Sequence, residues 1–97
     1  MKTISQMVVE IHRNAKKKGF WTISKNIPEK IALIHSELSE ALEALRHNNV
    51  ENFNEEIADT VIRIFDLCGY MGIDIEEEIR RKHSINLKRP KLHGKKF

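Results

Sequence analysis

Two pairs of carboxylates stand in the middle of the chain at helical spacing: Glu37 with Glu40, and Glu56 with Asp59. Side chains three residues apart on a helix are neighbours on one face. Such pairs present only oxygen ligands, which select a hard divalent cation, and Mg²⁺ in particular binds through a few carboxylates while keeping positions for water and substrate phosphates. E-x-x-E and E-x-x-D pairs are also common on solvated helix faces, and Glu43, Glu51 and Glu55 are read that way. The two pairs are set apart by where they converge. Measured from a turn at Asn49, with a rise of roughly 1.5 Å per residue, all four lie about 11 to 18 Å along their helices, at one level of a hairpin. Four carboxylates gathered at the margin of a core repel one another and lose hydration, at a cost of several kcal/mol unless a cation neutralises them.

The remaining candidates have plainer readings. Without the acidic residues upstream, Lys82, Asn86 and Arg89 read as an ordinary basic helix end. Trp21, beside Phe20 in a short connection, either stacks on a nucleobase or plugs the end of the helical bundle. His35 falls opposite the carboxylate edge of its helix, and His12, His47, His83 and His93 show no ligand spacing with one another or with Cys68. No transition-metal site is therefore assigned.

Four helices are predicted to position these residues, each opened by a capping residue with Glu or Gln three positions on: Thr3/Gln6, Asn26/Glu29, Asn52/Glu55 and Asp74/Glu77. The first runs from about 3 to 18 and ends at Gly19. The second opens through Pro28 and ends near His47, and the Asn48-Asn49 turn sets it antiparallel to the third as a hairpin. The third carries an apolar arc, from Phe53 through Ile57, Val61, Ile62, Phe65 and Cys68, wider than one buried face can use. Burial on two sides, against its own bundle and a second subunit, is expected, as a homodimer or a dimer of dimers. Gly72 ends it. The fourth starts at Asp74 with Glu76, Glu77 and Glu78 in its first turn and Arg80, Arg81 and Lys82 in its last, an order that complements the helix dipole. From about residue 86 to 97 the pattern fades into a basic, irregular tail. The expected fold is one all-α, four-helix bundle-like domain over residues 1–97.

At 97 residues the chain buries a modest core, which is a further reason to expect a partner subunit. A formal charge of +3 is small, but acids crowd the centre and Arg80, Arg81, Lys82, Lys88, Arg89, Lys91, Lys95 and Lys96 load the end. No recognition helix or aromatic-basic sheet motif accompanies that basic tail, so nucleic acid is not the expected partner. Neither a signal-peptide pattern nor a membrane-length apolar run occurs, and the lone Cys68 suits a reducing compartment; a cytoplasmic location is expected.

The run Glu37-Leu38-Ser39-Glu40-Ala41-Leu42-Glu43-Ala44, followed by Glu55-Glu56-Ile57-Ala58-Asp59 and then Lys82, Asn86 and Arg89, resembles the MazG-like branch of the all-α nucleoside triphosphate pyrophosphatases over residues 29 to 97. The resemblance implies that Glu37, Glu40, Glu56 and Asp59 hold Mg²⁺, with Mn²⁺ as a substitute, and serve catalysis. It also implies that Lys82, Asn86 and Arg89 contact the triphosphate. Where the family often has a further Glu before the first pair this chain has Ser36, which leaves one or two metals open. The implied reaction is hydrolysis of canonical or non-canonical nucleoside triphosphates to monophosphate and pyrophosphate, as nucleotide-pool housecleaning. The alternatives are a narrower substrate such as dUTP or phosphoribosyl-ATP on the same fold, or a non-catalytic nucleic-acid-binding or scaffold protein.

Overall fold

The structure, a computed structural model, describes residues 1–95; Lys96, counted above with the basic tail, lies outside the described residues. Among these residues the chain is all-helical: α1 (Ile4–Lys17), α2 (Phe20–Ile23), α3 (Ile27–Arg46), α4 (Val50–Met71) and α5 (Ile75–Leu87), with a 3-10 turn over Lys91–Gly94. None of these helices is long and apolar enough to cross a membrane.

Local chemistry sets the ends of the helices. Thr3 closes a reciprocal capping box with Gln6, and the side chains of Asn26 and Asp74 accept from the backbone N–H groups of Glu29 and Glu77. Gly72 ends α4 in the left-handed region, at φ 70°. The expected start at Asn52 is corrected: Asn49 is the cap, accepting from the Asn52 N–H at 3.1 Å, so α4 begins at Val50. The turn can be this short because Asn48 takes φ 56°, a conformation asparagine tolerates better than most residues. Two further expectations change. The Phe20-Trp21 connection is a single helical turn rather than a loop, giving five helices instead of four, and Arg80, Arg81 and Lys82 lie in the middle of α5, whose last turn holds no basic residue.

The antiparallel hairpin is present: α3 and α4 pack along their length, α1 lies across α4, α2 sits against α1, and α5 packs on α1. Small side chains let the hairpin close. Ala41, Ala44 and Thr60 are buried there, and the Thr60 hydroxyl donates back to the Glu56 carbonyl at 2.8 Å. At the α1–α4 crossing a Cβ on Gly69 would lie 2.6 Å from the Cβ of His12, so the two backbones approach more closely than any larger residue allows. Much of the apolar arc of α4 stays open in the single chain. Leu38, Leu42 and Leu45 on α3 and Ile57 and Val61 on α4 are each between 39% and 53% exposed. Because the helices are antiparallel and face each other through Ala41, Ala44 and Thr60, both stripes come to the same side of the hairpin.

Candidate metal centre

The hairpin brings the central carboxylates together. α3 supplies Glu37 and Glu40, α4 supplies Glu56 and Asp59, and one oxygen from each of Glu37, Glu56 and Asp59 lies within 4.8 Å of the other two. Glu40 stands outside that triad but close enough to act on Glu56, and it shares with Glu56 the lining of a second, shallower cavity of about 420 Å³ near the turn. Of the expected set of four, three carboxylates converge and Glu40 stands beside them.

Charge is unevenly settled within the cluster. Glu37, 13% exposed, accepts from the Arg63 Nε–H at 2.9 Å. Burial pushes the Glu37 carboxyl up, but the hydrogen bond and charge of Arg63, together with the neighbouring Glu56, outweigh it and hold Glu37 below its ordinary value. Glu56 goes the other way: contact with Glu37, contact with Glu40 and loss of solvent push it up to about 7. The two carboxyls are pushed apart because the guanidinium favours an ionised Glu37, whereas Glu37 and Glu40 disfavour an ionised Glu56. The Oε2 of Glu56 is also out of reach of solvent and has no hydrogen-bond partner. A buried carboxylate oxygen facing other carboxylates needs a proton or a cation, so the site fits an oxygen-seeking divalent ion.

This arrangement fixes a pH dependence. Glu56 holds its proton more tightly when folded than at the ordinary value of 4.5, so metal-free stability should fall as pH rises from about 4.5 to about 7. Glu37 contributes in the opposite sense, through stability lost only as pH drops below that ordinary value. Thermal unfolding in chelator across this window should show a declining Tm for the wild type and a flatter profile for Glu56→Gln. An identical slope in both proteins would contradict a raised Glu56 carboxyl.

Beside the carboxylates opens a cavity of about 480 Å³, whose walls include Glu37, Asp59 and Arg63 together with Phe20, Trp21 and Lys30. Trp21 is buried, and its indole N–H donates to both carboxylate oxygens of Asp66, at 2.9 and 3.1 Å. Tyr70 stacks on the indole at 4.1 Å and 7°, and the Lys30 ammonium lies over the ring at 4.5 Å while also donating to the Phe20 carbonyl. With a parallel ring against one face, the ammonium must occupy the other. Both faces of the indole are thus covered, and a nucleobase stacking on it would first have to displace Lys30.

In the single chain Lys82, Asn86 and Arg89 stand apart from both carboxylate-lined cavities. Neither cavity includes them in its walls. α5 docks on α1, where the Ser5 hydroxyl donates to Glu76 at 2.8 Å, and the Oδ1 of Asn86 is itself buried without a partner. The cations that do reach the main cavity are Arg63 and Lys30, which sequence reasoning passed over. Helical arithmetic carries both signals, since Arg63 follows Asp59 by four and Lys30 precedes Glu37 by seven. The pairing of His12 Nδ1 with Asp66 at 2.8 Å joins α1 to α4 across 54 positions and had no local signal. No protein-family model matches the chain, and neither a curated protein nor a solved structure matches it.

Proposed function

We propose that this protein is a Mg²⁺-dependent nucleoside triphosphate pyrophosphohydrolase, releasing the monophosphate and pyrophosphate. The observation that carries the reading is the buried, unpartnered Oε2 of Glu56 within a cluster of converging carboxylates. Bound there, Mg²⁺ would offset the carboxylates' charge and supply Lewis-acid activation of water and phosphate. Glu37, Glu56 and Asp59 hold the cation, and Mn²⁺ meets the same oxygen-ligand demand. Glu40, outside the triad, is one carboxylate that could take a proton from water, and the identity of the base stays open. The adjoining cavity, at about 480 Å³, has the size of a small-molecule site, and its walls set two cations, Arg63 and Lys30, among the acids Glu10, Glu37, Asp59 and Asp66. Lys82, Asn86 and Arg89 remain proposed phosphate contacts on the family resemblance alone. A panel of canonical and modified triphosphates, assayed for pyrophosphate release with and without Mg²⁺, tests the reading and separates a broad substrate range from preference for dUTP or phosphoribosyl-ATP.

The exposed stripes favour a homodimer as the working form. Leu38, Leu42, Leu45, Ile57 and Val61 make one apolar face on the hairpin, a surface that soluble chains normally cover. Two hairpins apposed through it form a four-helix bundle with both carboxylate clusters intact. Leu42→Glu or Val61→Glu would place an unpaired charge at that contact and should convert a dimer to a monomer in sedimentation. A wild-type chain that sediments as a monomer would contradict this assembly.

A further inference from the structure

Arg63 is the cation already at the carboxylate cluster. It lies one turn beyond Asp59 on α4 and lines the same cavity as Asp59 and Glu37. Its Nε–H is given to Glu37 Oε1 at 2.9 Å, and among the described residues no other hydrogen bond is made by the guanidinium. The side chain is 37% exposed, so the arginine can move without unpacking the core, whereas the Glu37 it holds is 13% exposed and fixed. Glu37 therefore belongs to two arrangements: the pair with Arg63 and the triad with Glu56 and Asp59. A doubly charged ion in contact with Glu37 repels a guanidinium on the same carboxylate, and it supplies the neutralising charge that Arg63 supplies in its absence.

We infer that Arg63 is a resident counterion that a divalent cation displaces from Glu37, and that the released guanidinium fork then takes an anionic phosphate group of the ligand in the adjoining cavity. The inference rests on the metal-site reading of the carboxylates. It makes Arg63 a substrate-positioning residue whose availability depends on the cation. A guanidinium suits that second duty because it grips phosphate oxygens through paired N–H donors, which an ammonium cannot do.

The test is calorimetric and needs no turnover: Mg²⁺ binding, and inorganic tripolyphosphate binding with and without Mg²⁺, for wild type, Arg63→Gln, Arg63→Lys and Glu56→Gln. Arg63→Gln should bind Mg²⁺ roughly three- to tenfold more tightly, the scale of a half-exposed ion pair removed from competition. In Mg²⁺ it should bind tripolyphosphate about tenfold or more weakly. Without Mg²⁺, wild type and Arg63→Gln should differ little. Arg63→Lys retains the charge and should bind Mg²⁺ like wild type, yet bind tripolyphosphate more weakly in its presence, which guards against a folding defect in the glutamine variant. Unchanged or weaker Mg²⁺ binding in Arg63→Gln, with Glu56→Gln abolishing it, would leave the metal site standing and overturn the displacement. Mg²⁺ binding absent from the wild type would overturn the metal reading and the displacement together.

Discussion

Glu56→Gln should lower turnover of a nucleoside triphosphate by about a hundredfold or more while leaving the chain folded. Loss of an outer partner of a metal ligand already costs roughly 10- to 100-fold, so loss of a ligand belongs at or beyond that upper end. Glu56 is the most exposed to this argument because its Oε2 is buried without a partner and its carboxyl is pushed up to about 7 by Glu37 and Glu40. The amide also removes a charge that the metal-free cluster has to keep protonated. Metal-free Glu56→Gln should therefore be no less stable than wild type near neutral pH, and its activity loss cannot be assigned to unfolding. Wild type should gain a Tm shift on the order of 10 °C at Mg²⁺ a hundredfold above Kd, and the variant should gain almost none. Near-wild-type activity in Glu56→Gln, and likewise in Asp59→Asn, would remove the site assignment.

The second large effect is structural and sits at Gly69. A Cβ there meets the Cβ of His12 at 2.6 Å and its ring carbons at 2.9 and 3.3 Å. Those nearest atoms belong to the base of a side chain held by Asp66 at 2.8 Å and set edge-on against Trp21 at 5.5 Å, so His12 cannot swing aside and α1 itself must move. In an open helix, Gly→Ala stabilises by about 1 kcal/mol. Here overpacking of about 1–3 kcal/mol opposes that gain and should win. Gly69→Ala should lower Tm by several degrees, with a shift in the environment of Trp21 visible in its fluorescence. Gly72→Ala is the comparison, because Gly72 has φ 70° and nothing within 4 Å. Its cost should come from backbone strain alone, with Trp21 undisturbed. A stabilised Gly69→Ala would mean that α1 and α4 do not cross this closely.

What the sequence disclosed depended on how far apart in the chain the partners are. Glu37, Glu40, Glu56 and Asp59 were legible because each pair sits within one turn of helix and a short hairpin brings the pairs level. Three helix starts were legible from Thr3, Asn26 and Asp74, since a cap needs only its own next three residues. The fourth was misplaced because Asn49 and Asn52 both present cap chemistry, and only the tightness of the turn, with Asn48 at φ 56°, decides between them. A single-turn helix such as α2 has no periodicity to read. The division of the acids into a triad and a neighbour, the Arg63–Glu37 pair and the His12–Asp66–Trp21 connection all depend on how separate helices approach, which no local pattern encodes. The roles of Lys82, Asn86 and Arg89 rest on resemblance rather than on geometry, and α5 packs on α1.

These carboxylates, if they hold Mg²⁺ for nucleotide chemistry, must also direct where the triphosphate is cut. The most direct measurement is ³¹P NMR of the products formed from a mixture of deoxynucleoside triphosphates incubated with the protein in Mg²⁺, with Glu56→Gln as the paired sample. Wild type should yield nucleoside monophosphate and pyrophosphate in equal amounts, and the variant neither above background. Diphosphate with orthophosphate, or equal turnover in both samples, would contradict it.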